Sequence, residues 1–223
     1  MSTKFEYRFG SFSGLTLVQL QGSVTLDSGT VLFNPGTGGT DWDDNGLYSV
    51  DGSLNHGDVL YSQIKIDAFS ASNHDFLWIL ATSGISFTGK VGARLVFVTP
   101  GVTARLIGYD DNIGNFGTEV GVSANTWYDL RLEVLTGGSA GLIRFSARLS
   151  NNVGNLNPTS SAWTVIGTST TTYSNGSTVH MSANAKSLLI ANATYHMDEW
   201  YWTNDGFISG NSTASSLLLD ILD

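Results

Sequence analysis

Residues 34–46 read NPGTGGTDWDDNG, with Asp41, Asp43 and Asn45 alternating ahead of Gly46. This is D-x-D-x-N-G, the opening half of a calcium loop. In such loops hard oxygen ligands recur at every second residue and glycine permits the tight turn. The twelfth position, where a carboxylate closes the shell, is Gly52, and Asp51 stands one place early. A calcium site here would draw on Asp41, Asp43, Asn45 and Asp51; a solvated turn is the other reading of the same residues. Trp42 and Asp44 share the stretch, which is the most polar loop of the chain. Sugars pack their C–H faces on exposed rings while their hydroxyls reach nearby carboxylates and amides, so Trp42 and Asp44 are candidate ligand contacts.

A second oxygen-rich run is Asp110, Asp111 and Asn112, following Tyr109 and leading into Gly114 and Gly117. It reads as a second ligand-binding rim or as an ordinary Asp/Asn turn. The third constellation is YHMDEWYW at residues 195–202. Strict alternation puts His196, Asp198, Trp200 and Trp202 on one face and Tyr195, Met197, Glu199 and Tyr201 on the other. Asp198 and Glu199 would then be unable to flank one glycosidic bond. On that reading Asp198 satisfies buried backbone or a ring N–H, the tryptophans fill core, and no catalytic residue is expected. The histidines fall at 56, 74, 180 and 196 with no metal-binding spacing, and neither a nucleophile elbow nor a phosphate loop is present. With no cysteine, disulfides, thiolate metal sites and cysteine nucleophiles are excluded.

These candidates must be positioned by strands. Residues 125–149 form the clearest hairpin. Tyr128, Leu130, Leu132 and Val134 alternate with Asp129, Arg131 and Glu133; after a glycine-rich turn, Ile143, Phe145, Ala147 and Leu149 alternate with Arg144, Ser146 and Arg148. One apolar and one polar face predict a hairpin with a core side and a wet side, Arg131, Arg144 and Arg148 pairing with acids across it. Further strands are expected at 4–9, 15–21, 23–33, 59–69, 75–82, 92–98, 103–109, 163–168, 187–191 and 194–203. Trp78 falls in a doubly apolar strand and is assigned to core. The polar run DDNIGNFG and residues 151–160 and 170–177 read as loop or turn. A dozen short strands with almost no helix predict an all-β, two-sheet antiparallel sandwich of the jelly-roll kind. The sandwich is expected to occupy 1–210. Residues 211–223 form an apolar-tipped tail, in which Leu217, Leu218, Leu219, Ile221 and Leu222 either fold back or dock on another subunit or scaffold.

The net charge of −9 and pI near 4.6 argue against a nucleic-acid backbone or anionic membrane as main partner. No apolar run is long enough to span a membrane as a helix. The first ten residues lack a secretory signal. Together with the absent cysteines, this suits a bacterial or viral protein at a virion or extracellular surface.

The strand NTWYDLRLEV, its mate LIRFSARLS and the late strand YHMDEWYW resemble those of concanavalin A-like, laminin-G-like jelly-roll modules. The resemblance implies that the last strand pairs with the first and that Asp198 and Glu199 occupy the family's acidic pair. The jelly-roll glucanases carry three acids on one face of a strand, and this chain has no such run. Since this fold hosts lectins, glucanases, lyases and inert modules alike, three functions are expected to compete. The first is a non-catalytic lectin-like recognition or decoration module for glycan or polysaccharide, with or without calcium. The second is a structural subunit of an assembly, such as a phage decoration or tail protein, in homo-oligomeric or scaffold contact. The third is a polysaccharide hydrolase or lyase.

Overall fold

The alternation in the sequence is satisfied by two stacked antiparallel sheets of eight strands each. The computed structural model describes residues 3–20, 22–34, 45–67, 74–81, 91–99, 103–135, 140–150, 156, 163–187 and 194–203, and among these there is no helix. The first sheet runs β14 (Thr164–Ser174), β13 (Ala140–Leu149), β12 (Trp127–Val134), β7 (Val59–Ile66), β16 (Tyr195–Thr203), β4 (Thr30–Asn34), β3 (Ser23–Asp27), with β1 (Thr3–Tyr7) also on β16. The second runs β11 (Gly114–Val122), β10 (Thr103–Asp110), β9 (Val91–Thr99), β8 (His74–Ala81), β15 (Ser177–Ser187), β5 (Asn45–Tyr48), β2 (Thr16–Gln19), with β6 (Gly52–Leu54) beside β15. The expected pairing of the last strand with the first is present, Tyr7 facing Trp200 and Glu6 facing Tyr201.

The core lies between the sheets. Leu130, Leu132, Phe145, Leu60, Met197, Trp200 and Trp202 from the first meet Trp78, Leu80, Leu95, Leu106 and Met181 from the second. Trp78 is buried, as its doubly apolar strand requires. Several strands were not legible as such. The opening of β11, through Gly117, and the second half of β14 fall in stretches read as loop or turn, the rest of β11 belonged to no expected strand, and β15 was missed for most of its length. The cause in β15 is local: Ala183 stands opposite Trp78, which has Ala93 on its other side. Small residues make room for the indole, so a central strand carries little of the bulky periodicity that identifies strands. β11 and β14 are sheet edges, and their exposed polar positions outnumber their buried ones.

Candidate functional site

The face of the first sheet turned away from the core is assembled in cross-strand rows. Arg148, Asp129, Gln63 and Asp198 stand opposite one another in sequence across β13, β12, β7 and β16. One row along come Ser146, Arg131, Tyr61 and Tyr201, and beyond them Arg144, Glu133, Val59 and Thr203. On the other side of the Arg148 row lie Trp127, Lys65 and His196.

This face was expected to be wet, and it is not. Gln63 is 0% exposed, Asp129 2%, Arg131 6% and Glu133 7%. Trp163 forms part of the cover, its ring centroid 4.1 Å from the guanidinium carbon of Arg148 and 4.7 Å from that of Arg131. Leu156 contributes too, its N–H donating to Glu199 Oε2 at 2.7 Å. Charges survive such burial only when paired. Asp129 accepts from Arg148 Nε and from Gln63 Nε2, both at 2.8 Å. Glu133 accepts two N–H groups of Arg144, at 2.8 and 3.0 Å, and Arg131 Nη2 lies 3.0 Å away. The expected cross-strand pairs of the hairpin are therefore present, under a roof.

The Asp198–Glu199 pair departs from expectation. Between Asp198 and Tyr201, β16 carries an extra residue relative to β7, and Glu199 has φ of 46°. A bulge of this kind reverses the alternation beyond it. Tyr195, Met197, Trp200 and Trp202 consequently share the core face; both tryptophans fill core as expected, but on the face opposite Asp198 rather than beside it. Asp198 stands in the Gln63 row. Glu199 bonds Leu156 and feels the charges of Arg8, Glu6 and Asp129, so its carboxyl serves the same side. The strict alternation that separated these two carboxyls does not hold. Asp198 Oδ1 accepts the Glu199 N–H at 2.9 Å, as a backbone-satisfying residue would. The Trp202 ring N–H goes instead to Asp58 Oδ2 at 3.0 Å, an acid that no sequence signal singled out.

Burial pushes Asp198 up from 3.8 to about 6, and burial raises Glu199 as well. A carboxyl that binds its proton more tightly when folded loses stability as pH climbs from its unfolded to its folded pKa. Between pH 4 and about 6, thermal melts of the wild type should therefore fall relative to Asp198→Asn, which keeps an acceptor for Glu199 N–H. Parallel curves for the two proteins would show that Asp198 ionises freely.

At the rim the row of Trp127 is more open. Trp127 is half-buried, with Lys65 Nζ 5.6 Å from its ring centroid and the His196 ring edge-on at 6.4 Å. His196 Nε2 lies 2.9 Å from Asp67 Oδ2, and its Nδ1 lies 2.9 Å from Thr30 Oγ1. Asp67 also takes Lys65 Nζ at 2.7 Å and the Thr194 hydroxyl at 2.7 Å. Burial opposes ionisation of Asp67, but these hydrogen bonds outweigh it and hold the carboxyl below its ordinary value. Burial pulls His196 downward against the attraction of Asp67, which favours the neutral ring.

The loop candidates fall elsewhere. Asp41, Trp42, Asp43 and Asp44 lie outside the described residues. Asn45 is the first residue of β5, whereas Asp51 follows the far end of that strand, exposed, with Oδ1 3.5 Å from His180 Nδ1. A strand advances about 3.3 Å per residue, so the length of β5 separates the backbone of Asn45 from that of Asp51. Asp110 is fully buried, its carboxylate accepting the Asn112 N–H at 2.9 Å and the Ser169 hydroxyl. It ties the β10–β11 turn to β14 and leaves Asp111 and Asn112 exposed. Cross-strand partners run from Asp110 through Val91 and Leu80 to Met181, so Asp51 and Asp111 border the same end of the second sheet with β8 and β9 between them. Among the described residues, no three His, Asp or Glu side chains gather as a metal site.

No protein-family model matches this sequence, and no curated protein matches it. Solved structures do. Peanut lectin superposes with a TM-score of 0.58 at 12% identity, covering 91% of this chain and 97% of its own. The CBM2 module of the evolved Dit of Lactobacillus casei BL23 phage J-1 gives 0.51 at 11% identity, covering 90% and 94%. A xylan β-1,4-xylosidase from Bacillus halodurans C-125 gives 0.53 at 8% identity, over 81% of this chain but 34% of the enzyme. The fold is thus the concanavalin A-like jelly-roll sandwich, shared with lectins, with carbohydrate-recognition domains and with parts of glycoside hydrolases. Among the described residues no helix is long and apolar enough to cross a membrane.

Proposed function

We propose that the protein is a non-catalytic, lectin-like recognition or decoration module for surface glycan. The observation that carries this reading is the rim of the first sheet's polar face, where the half-buried Trp127 ring is bracketed by Lys65 and His196, both of them held by Asp67. A ring for sugar C–H groups, a cation and a carboxylate for hydroxyls are what a pyranose requires. The lectin architecture supports the same reading. Trp42, Asp44, Asp111 and Asn112 are its loop contacts, with Asp110 bracing their turn; calcium on Asp41, Asp43 and Asn45, with Asp51 on the far side of β5, is its metal-assisted form. A glycan array, run with calcium and then with chelator, should show binding to a restricted set of glycans. Trp127→Ala should weaken that binding by about five- to thirtyfold, the equivalent of about 1–2 kcal/mol for losing the ring on which the sugar packs. Loss with chelator assigns calcium a role; absence of binding in both arms ends the recognition reading.

A structural role in a virion, at a phage or bacterial surface, is favoured by the likeness to the phage Dit module. Its contact segment would be the tail with Leu217, Leu218, Leu219, Ile221 and Leu222, outside the described residues. Light scattering on the full chain and on a chain ending before Ser212 should then show a larger assembly only for the former. The hydrolase or lyase reading gains one observation, the bulge that brings both Asp198 and Glu199 to the polar face. Release of reducing sugar by wild type, abolished in Asp198→Asn, would establish it against the non-catalytic proposal.

A further inference from the structure

Among the described residues, three buried polar groups beneath the cover of the first sheet find no hydrogen-bond partner: Arg131 Nε, Ser146 Oγ and Trp163 Nε1. They are neighbours. Arg131 and Ser146 face each other across the β12–β13 ladder, where opposed side chains leave the backbone about 5 Å apart. The Trp163 ring lies 4.7 Å from the Arg131 guanidinium carbon. Guanidinium and indole N–H groups only donate, and a serine hydroxyl donates one proton. The missing element is therefore an acceptor. A water molecule could accept from the two N–H groups, but of its own two protons only one would find Ser146 Oγ. An anion accepts from all three and has no proton left over.

The surrounding charge points the same way. Among the described residues, Arg131 and Arg144 pair with Glu133 on this stretch of the face and Arg148 pairs with Asp129. Burial, reinforced by Arg144 and Arg148, lowers the pKa of Arg131 despite Glu133. Tyr61, opposite Arg131 on β7, is pushed up to about 12 by burial and stays a neutral phenol. Asp198 and Glu199 belong to β16, on the far side of β7, with Arg8 at their rim.

We propose that Arg131 Nε, Ser146 Oγ and Trp163 Nε1 form a buried site for one small monovalent anion of the halide class. The site is separate from the glycan-binding rim at Trp127 and does not depend on it. As Asp198 and Glu199 ionise with rising pH they add negative charge nearby, so anion affinity should weaken from pH 5 to pH 8.

The test uses the full chain, with chloride as probe and gluconate as the ionic-strength control. Wild type should show a saturable rise in melting temperature with chloride, and a saturable broadening of the ³⁵Cl resonance that bromide displaces. Trp163→Phe keeps a ring over the guanidiniums but removes the N–H, and Ser146→Ala removes the hydroxyl with little change of volume. Each should reduce chloride affinity several-fold, while Arg105→Gln, on the second sheet and paired with Glu119, should leave it unchanged. The proposal is overturned if wild type shows no saturable chloride effect, or if the effect persists undiminished in both Trp163→Phe and Ser146→Ala.

Discussion

Asp129→Ala should cost roughly 3–5 kcal/mol of folding stability, the range for removing one partner of a buried ion pair. Its carboxylate is the acceptor for two buried donors at once, Arg148 Nε and Gln63 Nε2, each at 2.8 Å. The side chains of Arg148 and Asp129 are 6% and 3% exposed, so little solvent is available to take over. Arg148 would be left as a charge beneath the Trp163 ring, next to Arg131. Coulomb attraction between the pair is not the main quantity here, because desolvation consumes most of it. What the alanine variant exposes is the cost of an orphaned cation. The double replacement Asp129→Leu with Arg148→Met removes both charges and should recover most of the loss. Urea denaturation of the two variants checks this. A single variant within 1 kcal/mol of wild type, an arbitrary but strict limit beside that range, would mean that water enters beneath Trp163 and the face is not dry.

The second large effect is expected at Gly117, where the edges of the two sheets come together. Its φ is +84°, and a Cβ built there would lie 2.3 Å from the carbonyl oxygen of Ile166. Across the contact, a Cβ on Gly167 would lie 2.6 Å from Gly117 Cα. Both obstacles are backbone and neither can swing aside. Gly117→Ala therefore combines left-handed strain of about 1–2 kcal/mol with overpacking of about 1–3 kcal/mol. Gly114, four residues from a turn partner on the same strand's opening, separates the two contributions: its φ is +79° and nothing lies within 4 Å of its Cβ position. Gly114→Ala should show only the strain. Equal losses for the two variants would remove steric closure between β11 and β14 as a determinant of stability.

How much of this was legible in the chain differs from element to element. The faces of the 125–149 hairpin could be read residue by residue, because alternation is a local property and cross-strand pairing of its arginines with acids follows from it; the register then gives Asp129 to Arg148 and Glu133 to Arg144. The meeting of first and last strands was carried by the resemblance of YHMDEWYW and its partners to a known sandwich, and the register bears it out. The acidic turn at Asp110 was visible too, but not that its carboxylate is spent on Ser169 from the other sheet.

By itself the sequence determined the class of fold, the core face of β7, β12 and β13 and the presence of cross-strand charge pairing within one hairpin, all of which depend on spacing along a single stretch of chain. The tertiary structure alone decided that the polar side of that hairpin is covered, since burial depends on Trp163 and Leu156 being laid across it. It alone decided the bulge at Glu199, because an extra residue in β16 exists only relative to the register of β7. That one-residue offset exchanges which side chains face the core and places Asp198 and Glu199 on the same polar face as Asp129, Arg131 and Arg148. Periodicity cannot show this, because a bulge is a property of a pair of strands and not of either one.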